Sequence, residues 1–405
     1  MVKPGYKLTE SGIIPVEWID NQIKNVGYLT SGESPSHFDF SAGQIPYFKV
    51  EQLNNSVKYQ IESPYHTYSP KTIDKGSIIF PKRGAAIATN KVRILAQPSL
   101  LDTNIMALTI TNEEVNGEYL YYWIVRKGLW QIADTTSVPQ INNKHILPLW
   151  FPLPSVVEQE NIANALADID DLITIFDHLI EKKKAIKQSA MQELLTGKKR
   201  LPGFSGRWVS GKWKEVLDCF SSGATPYRGN PIFYKGQIKW VSSGELNYNR
   251  IVDTLEHISP EAKEKTNLTL HPTGTFLMAI TGLEAAGTRG SCAILGTPAT
   301  TNQSCIAIYG TDKMSTEYLF HYYVQHGDEL AFQYCQGTKQ QSYTAAIVKE
   351  LPIYYPEDME EQRAIASVLT SMDAEIQALQ QKLEKYRQLK QGMMQQLLTG
   401  KIRLK

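Results

Sequence analysis

Asn230-Pro231-Ile232-Phe233 is this chain's nearest approach to the Asn/Asp-Pro-Pro-Tyr/Phe motif of an adenine methyltransferase. It lacks the second proline, and no Gly-rich cofactor loop follows a strand upstream of it, so it reads as a turn. Asp253 with Glu261-Ala262-Lys263 has the letters of a nuclease carboxylate cluster, but it lies in a polar run rich in Lys and Glu that reads as solvated surface. There is no Walker-type phosphate loop and no His-Glu-x-x-His metal site. Cys219, Cys292, Cys305 and Cys335 all fall in the second half without paired ligand spacing, which suits reduced core residues of a cytoplasmic protein. The expectation is a chain with no catalytic residue, no metal and no cofactor.

Other residues suit binding rather than reaction. The stretch from Pro81 to Arg93 sets Lys82, Arg83, Lys91 and Arg93 among small residues, with Asn90 between them. Small residues allow close backbone approach, Lys and Arg can bond phosphate or guanine, and Asn can bond adenine. An exposed hairpin with ordinary surface lysines is the alternative. The matching stretch, Thr281 to Gly290, holds Thr288 and Arg289 with a single basic group. A second loop follows in each half: Thr135 to Asn142, with Gln140, and Gly337 to Tyr343, with Lys339, Gln340 and Gln341. Amide and ammonium groups suit base edges, although a plain polar loop would look the same. Net charge does not decide the matter, because it is only +1 and no segment is strongly basic.

These loops must be held by larger elements, and a repeat reveals them. Glu158-Gln159 returns as Glu361-Gln362, and Gln192 to Lys198 returns as Gln395 to Lys401, at a constant offset of 203 residues. In the first copy Ile162, Leu166, Ile169, Ile173, Phe176 and Ile180 follow the alternating four and three step of a helical seam, broken later by Lys183 and Lys187. Ile365, Leu369, Met372, Ile376, Leu379 and Leu383 match them in the second, broken by Lys390. Neither stretch contains Pro, and Gly197 and Gly400 stand where a C-terminal cap belongs. Each copy runs from an acidic first half to a basic second half. Antiparallel pairing would oppose unlike charges, which predicts an antiparallel coiled coil; a gradient that only complements each helix dipole is the alternative.

The regions before the helices repeat more loosely. Ser31-Gly32 matches Ser222-Gly223, Thr103-Asn104 matches Thr301-Asn302, and Glu118-Tyr119-Leu120 matches Glu317-Tyr318-Leu319. Short β-rich runs at 77–80, 105–110, 275–280 and 304–308, with one short helix near 119–125 and one near 318–324, predict an α+β class. The layout is a globular domain over 1–150, a long helix over 151–200, a second domain over 201–350 and a second helix over 351–405. Joined, the termini would recreate the linker at Arg200 to Phe204, so the arrangement has pseudo-twofold, quasi-circular symmetry. No apolar run reaches the length of a membrane span, and no export signal is visible.

The chain resembles a specificity (S) subunit of a type I DNA restriction-modification system. The resemblance rests on Tyr6 to Thr9 with Gly12 to Pro15 and Trp18, on Pro148 to Pro154 leading into Glu158-Gln159, on Leu194 through Phe204, and on the copies of the last two. It implies two similar target recognition domains, each reading one half of a bipartite double-stranded DNA target. It also implies helices that set the spacing and dock two methyltransferase (M) subunits, with restriction (R) subunits in the full complex and no chemistry in the S subunit itself. The two loops in each half are then the candidate readers, and their different compositions predict an asymmetric target. A coiled-coil scaffold that binds only protein is the rival.

Overall fold

Alternating and continuous apolar runs form the strands, and their burial explains the pattern. In the computed structural model, which describes residues 2–283, 289–335 and 342–405, the chain divides into two units. One is Met1–Asp177 with Gln381–Lys405, the other His178–Gln380. In the first, five strands lie in the order Gly27–Ser31, Ile105–Ile110, Ile78–Pro81, Arg93–Leu95 and Tyr59–Gln60. Ile105–Ile110 is buried almost throughout because both faces are covered: Met106 and Leu108 pack toward the helices, Ile105 and Ala107 toward a smaller sheet. That smaller sheet is Leu100–Leu101, Ile45–Phe48 and His66–Thr67.

The second unit repeats the scheme strand for strand. Its five-stranded sheet runs Asp218–Ser222, Cys305–Tyr309, Phe276–Ala279, Cys292–Leu295 and Asn249–Ile251, beside a three-stranded sheet of Glu256–Ile258, Ile238–Val241 and Thr300–Thr301. The repeated Ser-Gly dipeptide has a steric cause. A Cβ on Gly32 would lie 2.1 Å from the Asp102 carbonyl oxygen, and one on Gly223 would lie 1.8 Å from that of Thr301. Cys292 and Cys305 sit in the second core, where burial pushes their thiols up, while Cys219 and Cys335 are half-buried.

The expected short helices are Gly117–Lys127 and Thr316–Tyr334. The first stops at Gly128, φ 81°, and a separate turn Leu129–Ile132 follows; the second continues through Gly327. The two long helices are Val156–Leu194 and Met359–Leu397, 39 residues each. Gly197 (φ 69°) and Gly400 (φ 68°) take left-handed conformations just beyond them, where a side chain would be strained.

Within each unit the helix segments run antiparallel. In the first, Asp170 pairs with Lys390 at 2.6 Å, Phe176 stacks on Tyr386 with centroids 5.3 Å apart, and Asp177 meets Arg387 at 3.1 Å. In the second, Lys183 meets Glu375 at 2.7 Å and Lys187 meets Asp373 at 2.5 Å. The opposed charge gradients are thus realised as ion pairs, and Lys183, Lys187 and Lys390, the breaks in the seam, each hold a carboxylate. Of the seam residues, Ile162, Leu166, Ile169, Ile173, Ile180, Ile365, Leu369, Ile376 and Leu383 are buried, while Phe176, Met372 and Leu379 are partly so.

The Glu-Gln dipeptide anchors each helix to its own unit. Gln159 accepts from the Asn116 backbone N–H at 2.8 Å and donates to the carbonyls of Glu114 and Pro154. Gln362 repeats this with Ser315, Lys313 and Pro356. Glu158, nearly inaccessible, takes both arms of Arg403 at 2.6 and 2.7 Å; Glu361, fully buried, takes both arms of Arg200 at 2.5 and 2.6 Å. Arg403 lies over Trp18 and Arg200 over Trp208. The chain ends are close, as the quasi-circular layout requires: the Tyr6 hydroxyl donates to the Gly400 carbonyl at 3.0 Å, and Lys405 meets Glu17 at 3.0 Å.

Candidate nucleic-acid interface

In the first unit the two polar loops come together at one end of the five-stranded sheet. Ile78–Pro81 runs out into Lys82, whose N–H donates to Asn104 O at 2.8 Å and whose carbonyl accepts from Ile141 N at 2.8 Å. Arg83 and Gln140 then form a backbone bridge, and Gly84 N–H donates to Pro139 O at 2.9 Å. The result is an open cleft of about 730 Å³ lined by Ser31, Lys82, Arg83, Asn104, Gln140 and Lys144, among others. Lys82 Nζ bonds the Ser31 hydroxyl at 3.1 Å, inside the cleft. Arg83, Gln140, Asn143 and Lys144 are exposed, and no hydrogen bond or ion pair occupies their side chains among the described residues. Three cations and two free amides thus face one groove, a donor-rich set suited to phosphates and to guanine and adenine edges.

The other sequence candidates are placed differently. Arg93 is spent inside the fold: its guanidinium donates to the carbonyls of Leu53 and Val92 at 2.7 Å each and to Ser56, and burial lowers its pKa. Lys91 bonds the Asn54 amide. Asn90 uses both ends of its amide, accepting from Leu129 N at 2.9 Å and donating to Val125 O at 2.8 Å. Asn143 and Lys144 carry no signal in the sequence beyond lying just past the second loop, and the tertiary bridge at Gln140 is what turns them toward the cleft.

The second unit makes the same bridge with different residues. Thr281 pairs with Ser342, and Tyr343 N–H donates to Ile280 O at 2.9 Å. This register makes Thr281, not Arg289, the counterpart of Arg83. Arg289 stands one residue before Gly290 (φ 72°), which occupies the place of Asn90 (φ 51°). Its Nε donates to Leu283 O at 3.0 Å and its guanidinium lies 5.5 Å from the Phe332 ring. Thr288, Lys339, Gln340 and Gln341 lie outside the described residues.

The motifs considered for catalysis have ordinary partners. Asn230 caps the turn Pro231–Tyr234 by accepting from Ile232 N; Glu261 pairs with Lys265 on the helix Pro260–Lys265; Asp253 bonds His257. No three His, Cys, Asp or Glu side chains converge as a metal site among the described residues, and none of their helices is long and apolar enough to cross a membrane.

Two repeated mixed α/β units, each with the same backbone bridge at one end of its five-stranded sheet, and in the first a polar cleft beside that bridge, are the work of a duplicated fold. The family described as the type I restriction modification DNA specificity domain matches residues 15–187 and 206–386. The MjaVIII type I restriction enzyme specificity subunit of Methanocaldococcus jannaschii is 25% identical over 415 residues, covering 97% of this chain and 94% of that protein. The MjaIX specificity subunit of the same organism is 28% identical over 179 residues, which span 42% of this chain and 41% of that protein. The crystal structure of the S subunit from M. genitalium shares the fold, with TM-score 0.62 at 14% identity and 98% coverage of both chains. The chain belongs to the type I restriction-modification DNA specificity family. It is a specificity subunit, the non-catalytic component of such a system.

Proposed function

We propose that each unit reads one half of a bipartite double-stranded DNA target through the cleft at the end of its five-stranded sheet. The observation that carries this reading is the duplicated bridge, Arg83 to Gln140 and Thr281 to Ser342, which brings together an end of each of the two loops in each half. The residues at the bridge differ between the units, so the half-sites differ and the target is asymmetric. The long helices dock two methyltransferase subunits, restriction subunits complete the complex, and the assembly works in the cytoplasm. Near-neutral charge leaves little nonspecific attraction to DNA, so the partners supply much of the affinity.

Mobility shift at low and moderate salt, with and without methyltransferase subunits, tests this reading, with methylome sequencing to identify the target. Sequence-selective retention by the complex is expected. Assembly with the partners but no DNA retention by the complex would make the chain a protein scaffold.

The helices are proposed to set the unread gap. At 1.5 Å per residue a helix of 39 residues spans roughly 60 Å. Four residues inserted near Ser189 add about one turn, at most ~6 Å, which is one to two base pairs. Methylomes of cells carrying the insertion should show the same half-sites with a longer gap. An unchanged gap at full activity would assign the spacing to another element.

A further inference from the structure

We infer that Asn90 is a positioning residue: its side-chain amide clasps the first reading loop to the break in the helix beneath it and so aims Arg83 into the cleft. This rests on the reading of that cleft as a DNA site.

Between Arg83 and Gln140 the chain makes two excursions. The loop 84–90 leaves the sheet at Gly84 (φ 84°), and the segment 128–139 returns from the helix end at Gly128 (φ 81°). They are tied where they meet the sheet, by the Arg83–Gln140 bridge and the Gly84 N–H bond to Pro139 O. At the far side Asn90 ties them again. Its Nδ2 donates to Val125 O, in the last turn of Gly117–Lys127, and its Oδ1 accepts from Leu129 N, just past the break. One amide thus spans Gly128 and closes a ring: Arg83, loop, Asn90, Leu129, segment, Gln140, Arg83. Without it the loop would keep its strand ends and the buried Ile87 but lose its tie to the helix break, and an arginine that must meet a base edge within a few tenths of an ångström would lose its aim.

The second unit makes a contact at the matching place by different chemistry. Gly290 stands in place of Asn90 and Gly327 in place of Gly128, and the helix continues unbroken; a Cβ on Gly290 would fall 2.9 Å from backbone atoms of Gly327 and Asp328. Backbone meets backbone there, where the first unit uses the amide. Both atoms of this amide already bond backbone groups on either side of Gly128, so its donor-acceptor edge is turned to the protein.

The test uses the full chain assembled with its methyltransferase subunits and competition binding against targets altered in one half or the other. Arg83→Ala identifies the half read by the first unit. Asn90→Gly, which suits φ 51° and keeps the backbone, should lower discrimination at that same half by about tenfold. Discrimination at the other half should stay near wild type, with a modest fall in melting temperature from the unpaired Leu129 N–H and Val125 carbonyl. Asn90→Asp, which keeps the acceptor for Leu129 N but sets a carboxylate against Val125 O, should also relax that half, and serves if the glycine variant does not fold. Relaxation by Arg83→Ala with both Asn90 variants unchanged would overturn the positioning role. So would equal weakening of both halves, which marks a purely structural residue. No effect of Arg83→Ala on either half would instead remove the DNA reading of the cleft.

Discussion

Glu158→Ala is expected to destabilise the protein by about 1.5–3 kcal/mol, the usual worth of hydrogen bonds to a charged group, because Arg403 is partly exposed and keeps Glu17 at 3.0 Å. The carboxylate is nearly inaccessible, takes both arms of Arg403, and accepts from the Trp18 indole at 3.0 Å. Urea unfolding measures the loss. A cost below about 1 kcal/mol would class the pair with solvent-screened surface contacts. The pH dependence has a definite sign. Burial alone would raise the Glu158 pKa, but the bonds from Arg403 and Trp18 outweigh it and hold it below the usual carboxylate range. Its contribution is therefore complete above the unfolded value of about 4.3 and is lost as pH falls through the lower folded value. Wild type should lose more stability than Glu158→Ala on acidification below about pH 4.3.

Arg83→Ala is expected to weaken target binding by roughly 1–3 kcal/mol if the guanidinium bonds guanine through both arms. Only one half-site should relax, because the second unit carries Thr281 at this position. Competition binding over single-base variants of the target reads this out. Equal loss on every sequence would assign Arg83 to phosphate, with a salt slope shallower by about one. No loss would make the side chain a bystander at the rim.

Helical periodicity and charge order are local properties, so the long helices, their antiparallel sense and the duplication could be read from residues alone. Ile162 to Ile180 and Ile365 to Leu383 mark a seam whatever surrounds them, and the acidic and basic halves admit one favourable pairing. The strand Ile105–Ile110 was legible for the same reason, since burial on both faces leaves an unbroken apolar run. The repeated Glu-Gln could be seen but not explained. Its partners, Arg403 for Glu158 and Arg200 for Glu361, lie 245 and 161 residues away.

The loops show where such reading stops. Lys82, Arg83, Asn90, Lys91 and Arg93 look alike in sequence as polar groups beside small residues, yet the fold gives them different tasks. Arg93 satisfies the carbonyl of Leu53, forty residues away, and Asn90 the Val125 carbonyl and the Leu129 N–H on either side of Gly128, while Arg83 keeps its guanidinium for the cleft. Whether a polar side chain is spent or free depends on which backbone groups the fold leaves unpaired nearby, and a buried N–H or carbonyl must find a partner. That demand arises only once distant strands and helices have packed. Composition therefore determined that this segment is polar and basic, and three-dimensional packing selected which of its cations reaches solvent.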